Sequence, residues 1–190
     1  MKKISKVTVH GGHNPSGKVA SGAVGILDES KEDRIITKKV VKLLNESGIR
    51  AKDCTVNDGV SQSDVLKKIC AKCNAYGADL DISIHFNSGA GDGRGNGKTT
   101  GTEVLLTAKT GDKGDVAKRV CRQMEKIGFK NRGVKTSSGL YFLNHTKAPA
   151  ILVEVCFVDD RDDARLYKKN KDAVAKAVVR AVLNHNKACD

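Results

Sequence analysis

The chain has 190 residues, of which 39% are hydrophobic and only 4% aromatic, and its 34 Lys and Arg outnumber 22 Asp and Glu. This length and apolar content predict one domain over residues 1–190, with a core of aliphatic side chains. No apolar run approaches the roughly 18 residues that span a bilayer, and the N-terminus lacks the apolar segment of a signal peptide. We therefore expect a monomer made in the cytoplasm, without a transmembrane segment.

The formal net charge of +12 and the isoelectric point of about 9.5 predict an anionic partner. Lys and Arg are scattered over every segment, no aromatic residues alternate with them, and no nucleic-acid motif is present. We therefore expect no nucleic-acid partner. A bacterial wall rich in teichoic acid is an equally good polyanion, although the charge by itself does not distinguish the two.

Six cysteines are spread through a chain that is large enough to fold without disulfides, so we expect reduced thiols. Cys70 and Cys73 form the single C-x-x-C pair. A structural zinc site of this kind needs a second pair, and both cysteines fall on the apolar stripe of a predicted helix. Core packing is therefore the favoured interpretation.

Hydrophobic periodicity predicts alternating strands and helices along the chain. Extended segments are predicted at 6–10, 49–55, 79–85, 102–107, 140–143 and 149–157. Helices are predicted at 32–47, 62–76, 113–127 and around 174–182, with a connecting loop at 14–31 and a turn at 132–135. This order predicts an α/β fold with a mostly parallel central sheet of about six strands, flanked by helices on both faces.

The segment from Gly89 to Gly101 contains six glycines and is too flexible to form a regular element. A phosphate-binding loop would have to lead into a helix, but the residues that follow, 102–107, have a strand pattern. We therefore expect a mobile loop beside a functional site, with Asn87 and this loop as walls of a groove.

Four polar side chains stand out against the predicted elements. His13 and His85 each follow a strand, Glu32 opens a helix, and Glu154 interrupts an apolar strand where an unpaired carboxylate is costly. Two imidazoles and one carboxylate leave a fourth position for water, as in catalytic zinc sites. A salt bridge for Glu154 and an ordinary structural role for His85 remain open on this pattern alone.

These residues resemble, in order, the motifs of zinc-dependent N-acetylmuramoyl-L-alanine amidases of the amidase-three type, from about Val7 to Leu183. The matching pieces are the glycine–His13 loop, Glu32 before Ile35, Ile82-Ser-Ile-His85-Phe-Asn87, Arg132-Gly-Val and Pro149-Ala-Ile-Leu-Val-Glu154-Val-Cys-Phe157. His10, Asn14 and Ile69 depart from the usual Asp, Gly and Arg of that family, which leaves second-sphere contacts and substrate details open.

The resemblance implies that His13, Glu32 and His85 bind Zn²⁺ and that Glu154 is the catalytic carboxylate. It implies a peptidoglycan hydrolase that cleaves the amide between N-acetylmuramic acid and L-alanine. Such an enzyme acts on the wall either as a phage or prophage endolysin or as the catalytic domain of a longer exported protein. Because the loop register is the weakest part of the match, Glu29 is the alternative ligand to Glu32.

Other interpretations stay open on the sequence. One is a zinc peptidase that cuts within the stem peptide, and others are a non-catalytic basic module that binds the wall or a basic protein that binds nucleic acid. Among the remaining histidines, His10 is either a partner of the site or, preferably, a polar residue at a strand end. His145 is a candidate for orienting substrate, and His185 is expected to be solvated.

Overall fold

The computed structural model describes all 190 residues, which form a single six-stranded sheet with five helices. The strands are β1 (Lys6–Gly11), β2 (Arg50–Asp53), β3 (Leu80–Asn87), β4 (Thr102–Leu106), β5 (Asn131–Thr136) and β6 (Ala150–Phe157). The helices are α1 (Glu29–Glu46), α2 (Gln62–Tyr76), α3 (Gly111–Glu125), α4 (Tyr141–His145) and α5 (Arg161–Lys187).

The strand order in the sheet is β2-β1-β3-β6-β4-β5, and every neighbouring pair is parallel except β4 with β6. The predicted α/β class with a mostly parallel sheet is therefore confirmed. Because β4 and β5 run against the other strands, the beginnings of these two strands lie at the same edge as the ends of β1, β3 and β6.

Helices cover both faces of the sheet, as predicted. One face packs under α1, α3 and α5 in a cluster of 34 buried hydrophobic residues, and the other packs under α2 and α4 in a cluster of 10. Cys70 and Cys73 belong to the smaller cluster, which confirms their assignment to the core. No helix combines the length and apolar content needed to cross a membrane.

Three local predictions are wrong. Helix α1 begins at Glu29 rather than Glu32, because the Asp28 side chain accepts a hydrogen bond from the Lys31 amide and caps the helix. The predicted turn at 132–135 is strand β5, which pairs with β4 through a register shift next to Gly133, whose φ is +79°. The segment predicted as extended at 140–143 instead lies mostly within the single-turn helix α4, which is too short to show helical periodicity.

Candidate metal centre

Three side chains from separate parts of the chain converge at the carboxyl ends of β1 and β3. The loop after β1 supplies His13, the first residue of α1 supplies Glu29, and the end of β3 supplies His85. Their ligand atoms all lie within 4.8 Å of one another. Open α/β sheets bind ligands at this edge, because loops and helix starts meet there.

The three ligand atoms form a nearly equilateral triangle. His13 Nε2 lies 3.1 Å from His85 Nδ1 and 3.1 Å from Glu29 Oε1, and His85 Nδ1 lies 3.0 Å from Glu29 Oε1. Ligands at about 2.0–2.1 Å from one tetrahedral zinc ion stand about 3.3 Å apart. The donor set and its spacing therefore suit a small divalent cation.

Two glycines allow this close approach. A Cβ atom on Gly12 would lie 1.9 Å from His85 Nε2, and one on Gly22 would lie 2.6 Å from Glu29 Oε2. Glu29 also accepts hydrogen bonds from the amides of Ala23 and Phe86, at 2.8 and 3.0 Å. The carboxylate is thus oriented from both sides before any ligand binds.

Glu32, the carboxylate predicted as the third ligand, does not join this cluster. Its Oε2 accepts a hydrogen bond from the Tyr167 hydroxyl at 2.7 Å and pairs with Lys171 Nζ at 2.6 Å, both on α5. The cause is the earlier start of α1, which places Glu29 at the sheet edge and Glu32 one turn further along. The prediction of Glu32 as ligand is corrected to the alternative, Glu29.

Glu154 lies beside the cluster on β6, in register with His85 on β3. Its Oε2 is buried and has no hydrogen-bond partner, and no Lys or Arg pairs with the carboxylate. Burial raises its pKa to about 8, and the negative charges of Glu29 and Glu103 add to the shift. The carboxylate is thus partly buried with one fully buried oxygen, and the salt bridge that the sequence left open is absent.

Burial and hydrogen bonds shift the pKa values of all three side chains of the cluster. Burial opposes the charge on Glu29, but hydrogen bonds from His13 and His85 outweigh it and hold the pKa of Glu29 well below its usual value. Burial lowers the pKa of His85, which favours the neutral imidazole that binds metals. Burial also opposes the charge on His13, but the hydrogen bond to Glu29 outweighs it and raises the pKa of His13.

Residues 7–184 match the N-acetylmuramoyl-L-alanine amidase family Amidase_3. The chain belongs to this amidase family. An endolysin of Bacillus phage SPP1 is 32% identical over 165 residues, which are 85% of this chain and 56% of that protein. The amidase LytC of Bacillus subtilis is 31% identical over 85% of this chain and 32% of its own length.

An uncharacterized protein of Clostridium perfringens strain 13 is 36% identical over 179 residues, which are 93% of this chain and 51% of that protein. This amidase-family chain therefore spans about half the length of the first curated relatives it matches. Among solved structures, the catalytic domain of an endolysin targeting Clostridia difficile is 28% identical with a TM-score of 0.82, covering 95% of this chain and 97% of that one. The amidase AmiC2 of Nostoc punctiforme is 25% identical with a TM-score of 0.78, covering 96% and 97%.

The other histidines of this amidase-family chain take different places. His10 is buried in the wall of a cavity of about 100 Å³ that also reaches His13 and His85, and its pKa falls to about 3 through burial. His145 stacks on Tyr141 with ring centroids 3.7 Å apart. His185 is completely buried and lies 2.8 Å from Asp115 Oδ2, so the expectation of a solvated side chain is wrong.

Two polar residues that sequence reasoning did not assign hold the His13 loop in place. The Arg34 guanidinium donates to the His13 carbonyl at 2.6 Å and to the Val56 carbonyl at 2.9 Å. Buried Asn14 donates to two carbonyls, those of Val19 and Gly59. The sequence signal for the second residue was an asparagine, Asn14, directly after the proposed ligand His13. Nothing in the local sequence indicates that the Arg34 side chain reaches the same loop.

The glycine-rich loop of residues 89–101 wraps around the start of α5. Asp159 accepts hydrogen bonds from the amides of Gly89, Ala90 and Gly91, and Asp162 accepts from Asn96 and Gly97. Its backbone is therefore tied to the helix by carboxylates at several points. These contacts define where the loop lies, and its predicted mobility stays a prediction.

Proposed function

We propose that this chain is a zinc-dependent peptidoglycan amidase that hydrolyses the amide between the lactyl group of N-acetylmuramic acid and L-alanine. The observation that carries the proposal is the meeting of His13, Glu29 and His85 next to the unpaired carboxylate of Glu154, whose Oε2 is buried. Family membership and amidase-named relatives support the reaction class. The proposed catalytic unit is residues 1–190, acting as a monomer.

The metal would be held by His13 Nε2, Glu29 Oε1 and His85 Nδ1. Two nitrogens and one oxygen are a ligand set that zinc accepts in catalytic sites. Zinc, when bound, lowers the pKa of water from 15.7 towards about 7 and polarises the scissile carbonyl. The backbone amides that hold Glu29 keep its carboxylate in the ligand position.

Glu154 is the proposed general base and general acid. Its carboxylate takes a proton from the attacking water and then delivers it to the departing amine of L-alanine, so that no free amide anion has to leave. A divalent ion held by His13, Glu29 and His85 would counteract the burial that raises the pKa of Glu154 and would favour the ionised, proton-accepting carboxylate.

The proposed biological setting is lysis of a bacterial wall, as an endolysin or a related wall enzyme. The similarity to a phage endolysin and to endolysin and amidase catalytic domains supports this setting.

An anionic wall polymer such as teichoic acid is the proposed second partner. A groove between α1 and α5 is lined by six cationic side chains and one aspartate, in a chain of net charge +12. The cations are Lys39, Lys168, Lys169, Lys171, Lys176 and Arg180. Binding to walls should weaken with added salt, and walls stripped of teichoic acid should retain less protein.

Metal analysis combined with mass spectrometry of digested wall fragments tests the proposed function. We expect about one zinc per chain after purification without added metal, with free glycan and peptides that begin at L-alanine as products. Cuts inside the stem peptide, with the amide to muramic acid intact, would instead show a zinc peptidase. Metal-free protein that binds walls without releasing peptide would show a non-catalytic module.

A further inference from the structure

A second charged cluster lies at the same edge of the sheet, one strand beyond Glu154. Because β4 runs antiparallel to β6, Glu103 near the start of β4 pairs in register with Glu154 near the end of β6. Glu103 is only 6% exposed, and neighbouring β5 also begins at this edge. A buried carboxylate has to be compensated, and here cations of β5 compensate it.

Glu103 holds two cations at defined positions. Its Oε2 accepts from Arg132 Nε at 2.6 Å and from Lys135 Nζ at 2.5 Å, while its Oε1 accepts from Asn87 Nδ2 at 3.2 Å. The Arg132 guanidinium also lies 5.0 Å from the centroid of the Phe157 ring. Arg132 is thus oriented by an ion pair on one side and an aromatic ring on another.

The two cations around Glu103 have charge and hydrogen-bond donors that the protein does not use. Two cations face one carboxylate, so one positive charge is left over, and neither terminal nitrogen of Arg132 has a hydrogen-bond partner in the protein. The side chains of Arg132 and Lys135 remain 28% and 45% exposed. The nearby Asp163 does not use this capacity, because its oxygens accept from the amides of Gly101 and Phe157. Free guanidinium N–H groups in a fixed orientation suit a carboxylate.

We propose that Arg132 and Lys135, anchored by Glu103, bind a carboxylate of the stem peptide and so determine which peptides this amidase cleaves. This proposal rests on the proposed function. The lactyl carboxyl of the substrate is consumed in the scissile amide and N-acetylated sugars are neutral, so the carboxylates available nearby belong to the peptide. The cations therefore mark the side of the site where the peptide would lie, beyond Glu154 as seen from the metal cluster.

The spacing between the strands favours a carboxylate on the second residue of the peptide. Glu103 lies one strand from Glu154 and two from His85, or about 5 and 10 Å at ordinary strand spacing. Two residues of extended chain span about 7 Å, which lies between these two spacings, so we assign the α-carboxylate of a γ-linked glutamate in the second position to the guanidinium that Glu103 holds. When that carboxylate is amidated, the same peptide loses its charge with little change in shape.

The test compares soluble muramyl peptides that carry a carboxylate or a carboxamide at the second residue. We expect kcat/KM of the parental protein to be at least tenfold higher for the carboxylate. Arg132→Gln should remove this preference by lowering kcat/KM for the acid only, and Lys135→Gln should reduce it. Arg122→Gln, an exposed residue of α3 with the same charge change, is the matched control and should keep the preference.

A second substrate pair separates the two carboxylates of the peptide. Amidation of the C-terminal carboxyl alone should leave kcat/KM unchanged, whereas a loss equal to that at the second residue would overturn the assignment of that residue. Equal kcat/KM for acid and amide in the parental protein, or equal losses for both in Arg132→Gln, would show that the cations only stabilise the fold.

Binding measured without turnover keeps this inference separate from the proposed function. Titration of Glu154→Gln with the two peptides should show at least tenfold tighter binding of the acid, and Arg132→Lys should retain part of the difference because it keeps the charge. If the parental protein cleaves neither peptide, the proposed function fails, and this titration still decides the carboxylate site. Equal affinities for the two peptides would overturn it.

Discussion

Glu32 Oε2 lies 2.6 Å from Lys171 Nζ, and this ion pair ties α1 to α5 one helical turn away from the metal cluster. Glu29 begins the same helix and contacts both imidazoles instead. Two glutamates three residues apart on one helix therefore have separate tasks, one at the cluster and one between helices.

Substitution of each glutamate by glutamine should affect metal binding at Glu29 and only stability at Glu32. We expect Glu29→Gln to lower zinc affinity by more than 100-fold, because it removes a charged ligand, and to abolish hydrolysis. Glu32→Gln should bind zinc as the parental protein does and lose about 1 kcal/mol of stability or less, as for other partly exposed ion pairs. Zinc titration against a competing chelator measures the first effect and thermal unfolding the second. Undiminished zinc binding by Glu29→Gln would contradict the assigned ligand set.

Glu154→Gln should separate metal binding from chemistry. The substitution preserves the shape of the side chain but removes its ability to accept a proton, so we expect hydrolysis to fall by a factor of about 10²–10⁴ while zinc content is unchanged. Glu46→Gln, an exposed glutamate at the end of α1, is the control and should keep parental activity. Clearing of cell walls at the parental rate by Glu154→Gln would show that another group moves the proton.

Gly12→Ala should disturb the cluster by steric contact alone. A Cβ atom at this position would lie 1.9 Å from His85 Nε2, so the imidazole has to move away from Glu29 and His13. We expect zinc affinity to fall at least tenfold, the scale seen when the support of a ligand is lost. Gly93→Ala, where a Cβ atom meets nothing within 4 Å, is the matched control. Equal zinc affinities for the two variants would show that the site tolerates the displacement.

Asp81→Asn should stabilise the metal-free protein above pH 6. Asp81 is completely buried, its Oδ2 has no partner, and burial raises its pKa from 3.8 to about 6 against a hydrogen bond from Thr8. The folded state holds this proton more tightly than the unfolded state, so stability declines as the pH rises from 3.8 to about 6 and stays lower above it.

The asparagine has no such dependence, and we expect it to be more stable than the parental protein by about 1–3 kcal/mol at pH 7.5. The advantage should vanish near pH 4. Urea unfolding of metal-free protein at the two pH values measures the difference, with the exposed Asp58→Asn as control. An advantage of the same size at both pH values would exclude titration of Asp81 as the cause.

Much of the architecture could be predicted from the order of apolar residues. The α2 helix was predicted with its observed bounds, because Gly77 adopts the left-handed conformation that ends a helix. The apolar run that becomes β6 was recognisable because a strand buried on both faces has few polar positions. His13, His85 and Glu154 were identifiable because they are polar groups at the ends or in the middle of apolar strands. Burying such groups costs free energy unless they are paired or have a function.

The sequence by itself therefore determined the alternation of strands and helices, the buried faces and three of the four residues proposed for the site. Only the tertiary structure decided between Glu29 and Glu32, because residues three apart share one helix face and the start of α1 depends on its Asp28 cap. Only the tertiary structure placed Glu103 and Arg132 beside Glu154, because strand direction depends on packing of the whole sheet. The hydrophobic periodicity of a segment does not indicate whether its strand runs parallel or antiparallel to its neighbours.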